Sequence, residues 1–252
     1  MLQVDTRPDG VVALTLHRPD KRHALNPALL EAFAGAVGAA QGVRAFLVRS
    51  SGGPAFCAGY DVDELKAPKS GERLADDRVA AAFNVLSNHG APSVAVIDGA
   101  AFGAGVELAC ACDFRIASKR ATFCVPAARL GIVYGHEGLS RVANIVGFQK
   151  ARRMFLRGDV IDADTALSWG LVDVLSDDPA LEGEAWAAHL AAQAPLAVEG
   201  MKVALRVLSN VSTSTEALDA LHALKVRAAG SDDVREGLLA RKEKRPPRFL
   251  GR

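Results

Sequence analysis

Two stretches of this chain combine residue types and spacing that suit chemistry on an oxygen atom. From Ser93 to Glu107 a strand-like run, Ser93 to Ile97, passes through Asp98-Gly99 into the turn Gly103-Ala104-Gly105 and then a helical pattern. Glycines at such a turn let the backbone approach a ligand closely, and the first N–H groups of the helix have no partner within it. Donors of that kind stabilise negative charge on an oxygen. Gly103-Ala104-Gly105 also begins a dinucleotide fingerprint, but Leu108 occupies the third glycine position and no acid stands near position 125 to bind a ribose. The second stretch, Gly52 to Leu65, contains Ala58-Gly59-Tyr60-Asp61, follows another strand and leads into another short helical pattern. Taken alone, it reads as an ordinary surface turn. Glu107 falls in the first turn of the helix that starts at Ala104, where an acid is also favoured by the helix dipole.

The elements that must position these turns alternate. Val11 to Leu16 is rich in β-formers and ends at Arg18-Pro19; Ala45 to Val48, Val94 to Ile97 and Phe114 to Ala117 are further strands. Asn26-Pro27 is a helix start, a capping side chain followed by proline at the first helical position. Leu29, Leu30, Phe33, Val37 and Ala40 then share one helical face, and Leu74 to His89 is a second helix. Strands alternating with helices predict an α/β fold with a mainly parallel sheet. From about Asn144 onward the pattern turns helical: Ala151 to Leu156, Ala163 to Ser168, Leu181 to Gln193, Leu196 to Leu208 and Thr215 to Ala229, with only Leu171 to Val174 extended.

At 252 residues, 50% of them apolar, the chain has enough material for a sizeable core. Lys and Arg total 30 against 29 Asp and Glu, which argues against a nucleic-acid or membrane-surface footprint. The residues from Met1 to Arg7 have no apolar core of a signal peptide, and the apolar run Ala91 to Cys112 is interrupted by Asp98 and Glu107, unlike a membrane helix. Cys57, Cys110, Cys112 and Cys124 lack the clustering and histidine partners of a zinc site, so they read as free thiols in a reducing cytosol, and the expected location is cytoplasmic.

Together, and in this order, the two turns resemble those of the crotonase superfamily, the enoyl-CoA hydratase/isomerase family. The resemblance runs through Arg18-Pro19 with Ala24-Leu25-Asn26, then Ala55 to Asp61, Asp98-Gly99 to Cys112-Asp113, and Gly147 to Ala151. It continues in Ala166 with Gly170-Leu171-Val172, Ser231 to Gly237, and Glu243-Lys244-Arg245. It implies an α/β crotonase-like spiral of β-β-α units over 1–195, with an all-helical C-terminal region over 196–252 for oligomerisation and cover of coenzyme A. It further implies that backbone N–H groups at Ala58 and Ala104 hold the thioester oxygen as it becomes an enolate. Arg22, Ala24, Ala58, Gly59, Tyr60, Asp61 and Lys244 would contact the coenzyme A arm. The basic tail of Arg241, Lys242, Lys244 and Arg245 would meet its phosphates, or else form a solvated helix end. Coenzyme A enters only as part of the substrate; no cofactor and no metal are implied. Relatives assemble as trimers or paired trimers, which the resemblance extends to this chain.

Hydration of an enoyl thioester uses an acid and a base, and family hydratases supply two glutamates. Glu107 matches the first. The second follows a proline, and here Pro126 is followed by Ala127, whose methyl group transfers no proton. Ten residues on, Glu137 stands in Tyr134-Gly135-His136-Glu137-Gly138, where other superfamily members place an acid; it reads as a substitute proton carrier or as the cap of the following helix. The expected activity is therefore isomerase-like, one carboxylate removing and returning a proton around an oxyanion-held enolate. The alternatives are an acyl-CoA binder without turnover and a CoA-thioester hydrolase.

Overall fold

Val11–Leu16, Ala45–Val48 and Ser93–Ile97 are apolar along nearly their whole length and buried throughout, as in strands covered on both faces. In the computed structural model, which describes residues 1–65, 74–209, 229–245 and single positions 219, 222, 223, 226 and 247, they lie side by side in one sheet. Its strands are β1 (Leu2–Thr6), β2 (Val11–Leu16), β3 (Ala45–Ser50), β5 (Ser93–Ile97), β7 (Phe114–Ser118) and β10 (Val174–Ser176), in that spatial order. In this sheet, among the described residues, only the β1–β2 pair is antiparallel. A second sheet has the order β4 (Ala55–Cys57), β6 (Ala100–Phe102), β8 (Thr122–Cys124) and β9 (Ile161–Asp162).

The connection rule is a repeated unit. A long strand of the first sheet turns into a short strand of the second, and a helix returns the chain to the next long strand. β3 and β4 are followed by α2 (Ala75–Asn88), β5 and β6 by α3 (Ala104–Ala111), and β7 and β8 by α4 (His136–Val146). Successive units stack in register, with Leu47 beside Val94 in one sheet and Ala55 beside Ala100 and Ala100 beside Thr122 in the other. This is the spiral of β-β-α units that the family resemblance implies.

Residues along each long strand alternate between two cores. Val11, Ala13, Ala45, Leu47, Val94 and Val96 face α7 (Pro179–Ala191), where Gly183 lets the helix rest on Val96. Val12, Leu14, Phe46, Val48, Ala95 and Ile97 face the main core, which also takes Leu29, Leu30, Phe33 and Val37 from α1 (Pro27–Ala39). The Asn26 cap forms as expected, its Oδ1 accepting from the Leu29 N–H at 2.9 Å. The strand expected at Leu171 to Val174 is displaced: Leu171 and Val172 are buried in the turn after α6 (Ala163–Ser168), and pairing begins at Val174.

Beyond α7, Lys202 of α8 (Pro195–Ser209) ties that helix to the body, its Nζ donating to Asp113 Oδ2 at 2.7 Å and the Ala91 carbonyl at 2.9 Å. The last helix, α9 (Asp232–Glu243), folds back onto residues 127–131: a methyl on Gly237 would lie 2.8 Å from Leu130 backbone atoms. Most of the helix expected over Thr215 to Ala229 and the segment from Lys66 to residue 73 lie outside the described residues.

Candidate active site

Two neighbouring short strands deliver the two turns to one place. β4 ends at Cys57 and runs into Ala58-Gly59-Tyr60; β6 ends at Phe102 and runs through Gly103 into α3. Gly59, at φ +94°, packs so tightly that an added methyl would lie 2.7 Å from the Phe102 carbonyl oxygen and 3.4 Å from Ala104 N. Gly105 presses on the other side of the same turn, where a methyl would lie 2.3 Å from the Cys57 carbonyl oxygen. Gly105→Ala is therefore expected to destabilise the fold by about 1–3 kcal/mol, read as a lower urea midpoint in a chemical denaturation curve.

The backbone donors are distributed differently from the expectation. The Ala58 N–H is committed to the Arg22 carbonyl at 3.0 Å, so it is not available to a ligand oxygen. Leu25 pairs in parallel with Tyr60: the Leu25 N–H donates to Gly59 O and the Asp61 N–H donates to Leu25 O, both at 2.8 Å. That pattern turns the N–H of Tyr60 itself away from Leu25, and among the described residues it has no acceptor. Ala104 N–H opens α3 and likewise has no acceptor among the described residues, as befits the first turn of a helix. The free pair beside one another is therefore Tyr60 and Ala104, a correction to Ala58 that follows from the pairing partner of each peptide.

Glu107, one turn into α3, is 4% exposed. Burial pushes its carboxyl up to about 7; the Arg141 guanidinium opposes this, while the charges of Asp76 and Glu137 add to it. Arg141 Nη1 donates to Glu107 Oε1, and its Nη2 donates to Asn84 Oδ1 on α2. Gly138, in the first turn of α4, makes room for the carboxyl: a methyl there would lie 2.7 Å from Glu107 Oε2 and 2.8 Å from Tyr134 Cδ1. Tyr134 stacks against Phe155 at 5.2 Å between centroids, and burial raises its phenol well above the ordinary tyrosine range, so it stays protonated.

Glu137 does not join this buried group. It precedes Gly138 on α4, and one residue is about 100° of helix. With Gly138 and Val142 turned inward, Glu137 is exposed, in the first turn, where the helix dipole favours an acid. Its reach to Glu107 is through its charge. Ala127 is buried at the start of a short 3-10 turn, Ala127–Leu130.

The segment expected to line the coenzyme A arm is held as one piece. Arg18 Nη2 donates to Asp61 Oδ2 at 2.9 Å and its Nη1 to the Ala24 carbonyl at 2.5 Å. His23, buried and left-handed at φ 57°, accepts from the Arg18 N–H at Nδ1 and places Nε2 2.8 Å from the Gly52 carbonyl. Arg22 and Tyr60 flank this staple, Arg22 exposed and Tyr60 half-buried, whereas Ala24 and Asp61 are buried within it. Lys244 is exposed in a left-handed turn ending α9. Arg241 and Lys242 there add to the pull of Lys21, which hydrogen-bonds Asp63 and lowers its carboxyl. Among the described residues no helix is long and apolar enough to cross a membrane.

Sequence reasoning missed Arg141, Asn84 and the Tyr60 N–H. The only signal for Arg141 was its position three residues after Gly138, on the same face of α4.

The family model described as enoyl-CoA hydratase/isomerase matches residues 6–252. A protein of Mycobacterium tuberculosis described as a probable enoyl-CoA hydratase is 35% identical over 250 residues, with 98% of each chain covered. The 2,3-dehydroadipyl-CoA hydratase of Escherichia coli is 36% identical over 251 residues, again covering 98% of each chain. Among solved structures, methylmalonyl-CoA decarboxylase in complex with 2-nitronate-propionyl-CoA superposes with a TM-score of 0.89 at 25% identity, over 100% of this chain and 98% of that one.

Proposed function

This chain belongs to the enoyl-CoA hydratase/isomerase family, whose members act on CoA thioesters, and from that premise we propose that it shifts the double bond of an enoyl-CoA by a single-carboxylate mechanism. The N–H groups of Tyr60 and Ala104 bind the thioester oxygen. As Glu107 takes a proton from the α-carbon of a 3,4-enoyl thioester, charge moves onto that oxygen and the two donors stabilise the resulting dienolate. Glu107 then returns the proton at the γ-carbon, leaving the conjugated 2,3-enoyl thioester.

The observation that carries this reading is the buried Glu107, held near pH 7 beside the two free donors, with a methyl at Ala127 and Glu137 exposed. A carboxylate near the ambient pH takes and gives a proton with comparable ease. Hydration needs a second proton-bearing group to deliver water. Arg22 and Lys244, both exposed, are placed in this reading against the coenzyme A arm.

The test is absorbance of the conjugated thioester when purified protein meets short 3,4-enoyl-CoA and 2,3-enoyl-CoA. Conjugation gained from the first, with no loss from the second, is the expected result. Loss from the second would mark hydration, and release of free thiol would mark hydrolysis. A second reading, an acyl-CoA binder without turnover, is favoured by the ion pair that engages Glu107. Coenzyme A thioester bound but unchanged in every assay would establish it and remove the isomerase.

Assembly into trimers or paired trimers is part of the proposal. Met201 and Leu205 on α8, one turn apart, are 60% and 67% exposed, an apolar pair that a neighbouring copy would cover. Sedimentation equilibrium should return a multiple of three chains, and a monomer at micromolar concentration would refute it.

A further inference from the structure

Three elements meet at one buried guanidinium. Arg141 from α4 donates through Nη1 to Glu107 Oε1 on α3 and through Nη2 to Asn84 Oδ1 on α2. The Arg141 and Glu107 side chains are only 11% and 6% exposed. A buried ion pair contributes little net stability, because the cost of dehydrating both charges offsets their attraction. Its geometric consequence is sharper. Glu107 Oε1 is occupied, whereas Oε2 has no hydrogen-bond partner among the described residues and sits in the space that a side chain on Gly138 would fill.

We infer that Arg141 is a positioning residue that locks Glu107 so that Oε2 alone carries the proton, and that Asn84 sets the angle of the guanidinium. The inference rests on Glu107 being the proton carrier proposed above. A planar guanidinium fits this duty because its two nitrogens lie in a fixed fork, one for the carboxylate and one for the amide. A lysine ammonium supplies the charge without the fork. The titratable groups that act on Glu107 are then Arg141 from α4, Asp76 from α2, Tyr134 from the preceding loop, Cys110 from its own helix and, through its charge alone, the exposed Glu137. Arg141 is the cation among them, and it opposes the effect of burial on Glu107.

Three variants test this by two readouts. The first is titration of Glu107 in 13C-glutamate-labelled protein, assigned by the signal lost in Glu107→Gln, which requires no turnover. Arg141→Met should move that titration upward by about one pH unit or more, since the neighbouring cation is gone. Arg141→Lys should keep it within about half a unit of wild type. Asn84→Ala should leave it nearly unmoved, because no charge is lost. The second readout is isomerisation of the 3,4-enoyl-CoA. All three variants should lose about tenfold or more in kcat with little change in KM.

A merely structural Arg141 would lower the melting temperature of Arg141→Lys and Asn84→Ala and leave their kcat at the wild-type value. Wild-type titration in both Arg141 variants, or wild-type kcat in Arg141→Lys and Asn84→Ala, overturns the inference. A wild-type protein inert toward every enoyl-CoA would instead remove the enzyme reading, and the inference with it, while the titration would still report whether Arg141 holds the carboxyl.

Discussion

Replacing Glu107 by glutamine is expected to lower kcat for the 3,4-enoyl-CoA by about two to four orders of magnitude, the usual share of a positioned acid–base group. The amide keeps the size of the side chain and can still accept from Arg141, so affinity for a saturated acyl-CoA, read by calorimetry, should stay within about threefold of wild type. A parallel loss of binding would mean that Glu107 supports the pocket rather than the chemistry. In wild type, kcat/KM should rise with pH and level off above about 7, because the free enzyme must hold Glu107 as carboxylate to accept the α-proton.

The same carboxyl leaves a mark on stability. Its value is raised from 4.5 in the unfolded reference to about 7 in the fold, so the folded state binds the proton more tightly. Its contribution to stability is therefore complete below about pH 4.5 and is lost as pH rises through about 7. Across that window the wild type should lose on the order of 3 kcal/mol that the glutamine variant does not. Urea denaturation of both proteins at pH 5 and pH 8 reads the difference, and equal slopes against pH would show that Glu107 is ionised normally.

The second large effect is expected at Gly59. A methyl there meets the Phe102 carbonyl oxygen at 2.7 Å, and the backbone stands at φ +94°. Gly59→Ala must push the Tyr60 turn away from Ala104 or rotate its peptide. Losing one oxyanion donor typically costs about 10²–10³ in kcat. Crowding and the left-handed backbone together should cost about 2–5 kcal/mol of stability. Gly53→Ala is the control. Its φ is +99°, but nothing lies within 4 Å of the added methyl, so it carries the conformational cost alone and should retain activity. If Gly59→Ala and Gly53→Ala lose the same stability and neither loses turnover, the close approach of the two turns is not what the chemistry requires.

The long elements were readable because their causes are local. Asn26-Pro27 caps and starts α1 with atoms three residues apart, and the apolar runs of β2, β3 and β5 announce strands buried on both faces. The three-residue strands β4, β6 and β8 were not, since three residues cannot display a period of two and their order comes from stacking on one another. The same distinction explains the two free backbone donors. Ala104 is free because it is the first residue of a helix, a local matter. Whether Ala58 or Tyr60 is free depends on Arg22 and Leu25, a separate segment that captures one N–H and turns the other away. Glu107 was found from its place after Ala104, but its partner Arg141 lies 34 residues on, and the exposure of Glu137 follows from which face of α4 meets α3.

β4 and β6 are immediate neighbours in the second sheet, and each runs into one of the two donor turns. Adjacent strands lie about 4.8 Å apart. Two nitrogens at that separation, each about 2.9 Å from a shared oxygen, subtend about 110° at it. That is close to the angle between the two lone-pair directions of a carbonyl-type oxygen, such as that of the dienolate proposed above. In the proposed reaction the sheet would act as a ruler: the spacing of the parallel ladder, carried past the ends of β4 and β6 to Tyr60 and Ala104, would set the jaw width for a single oxygen atom. Side chains that point away from the jaw can change without recalibrating it, because its gauge is a property of the peptide backbone; a side chain added at Gly59, between the two turns, cannot.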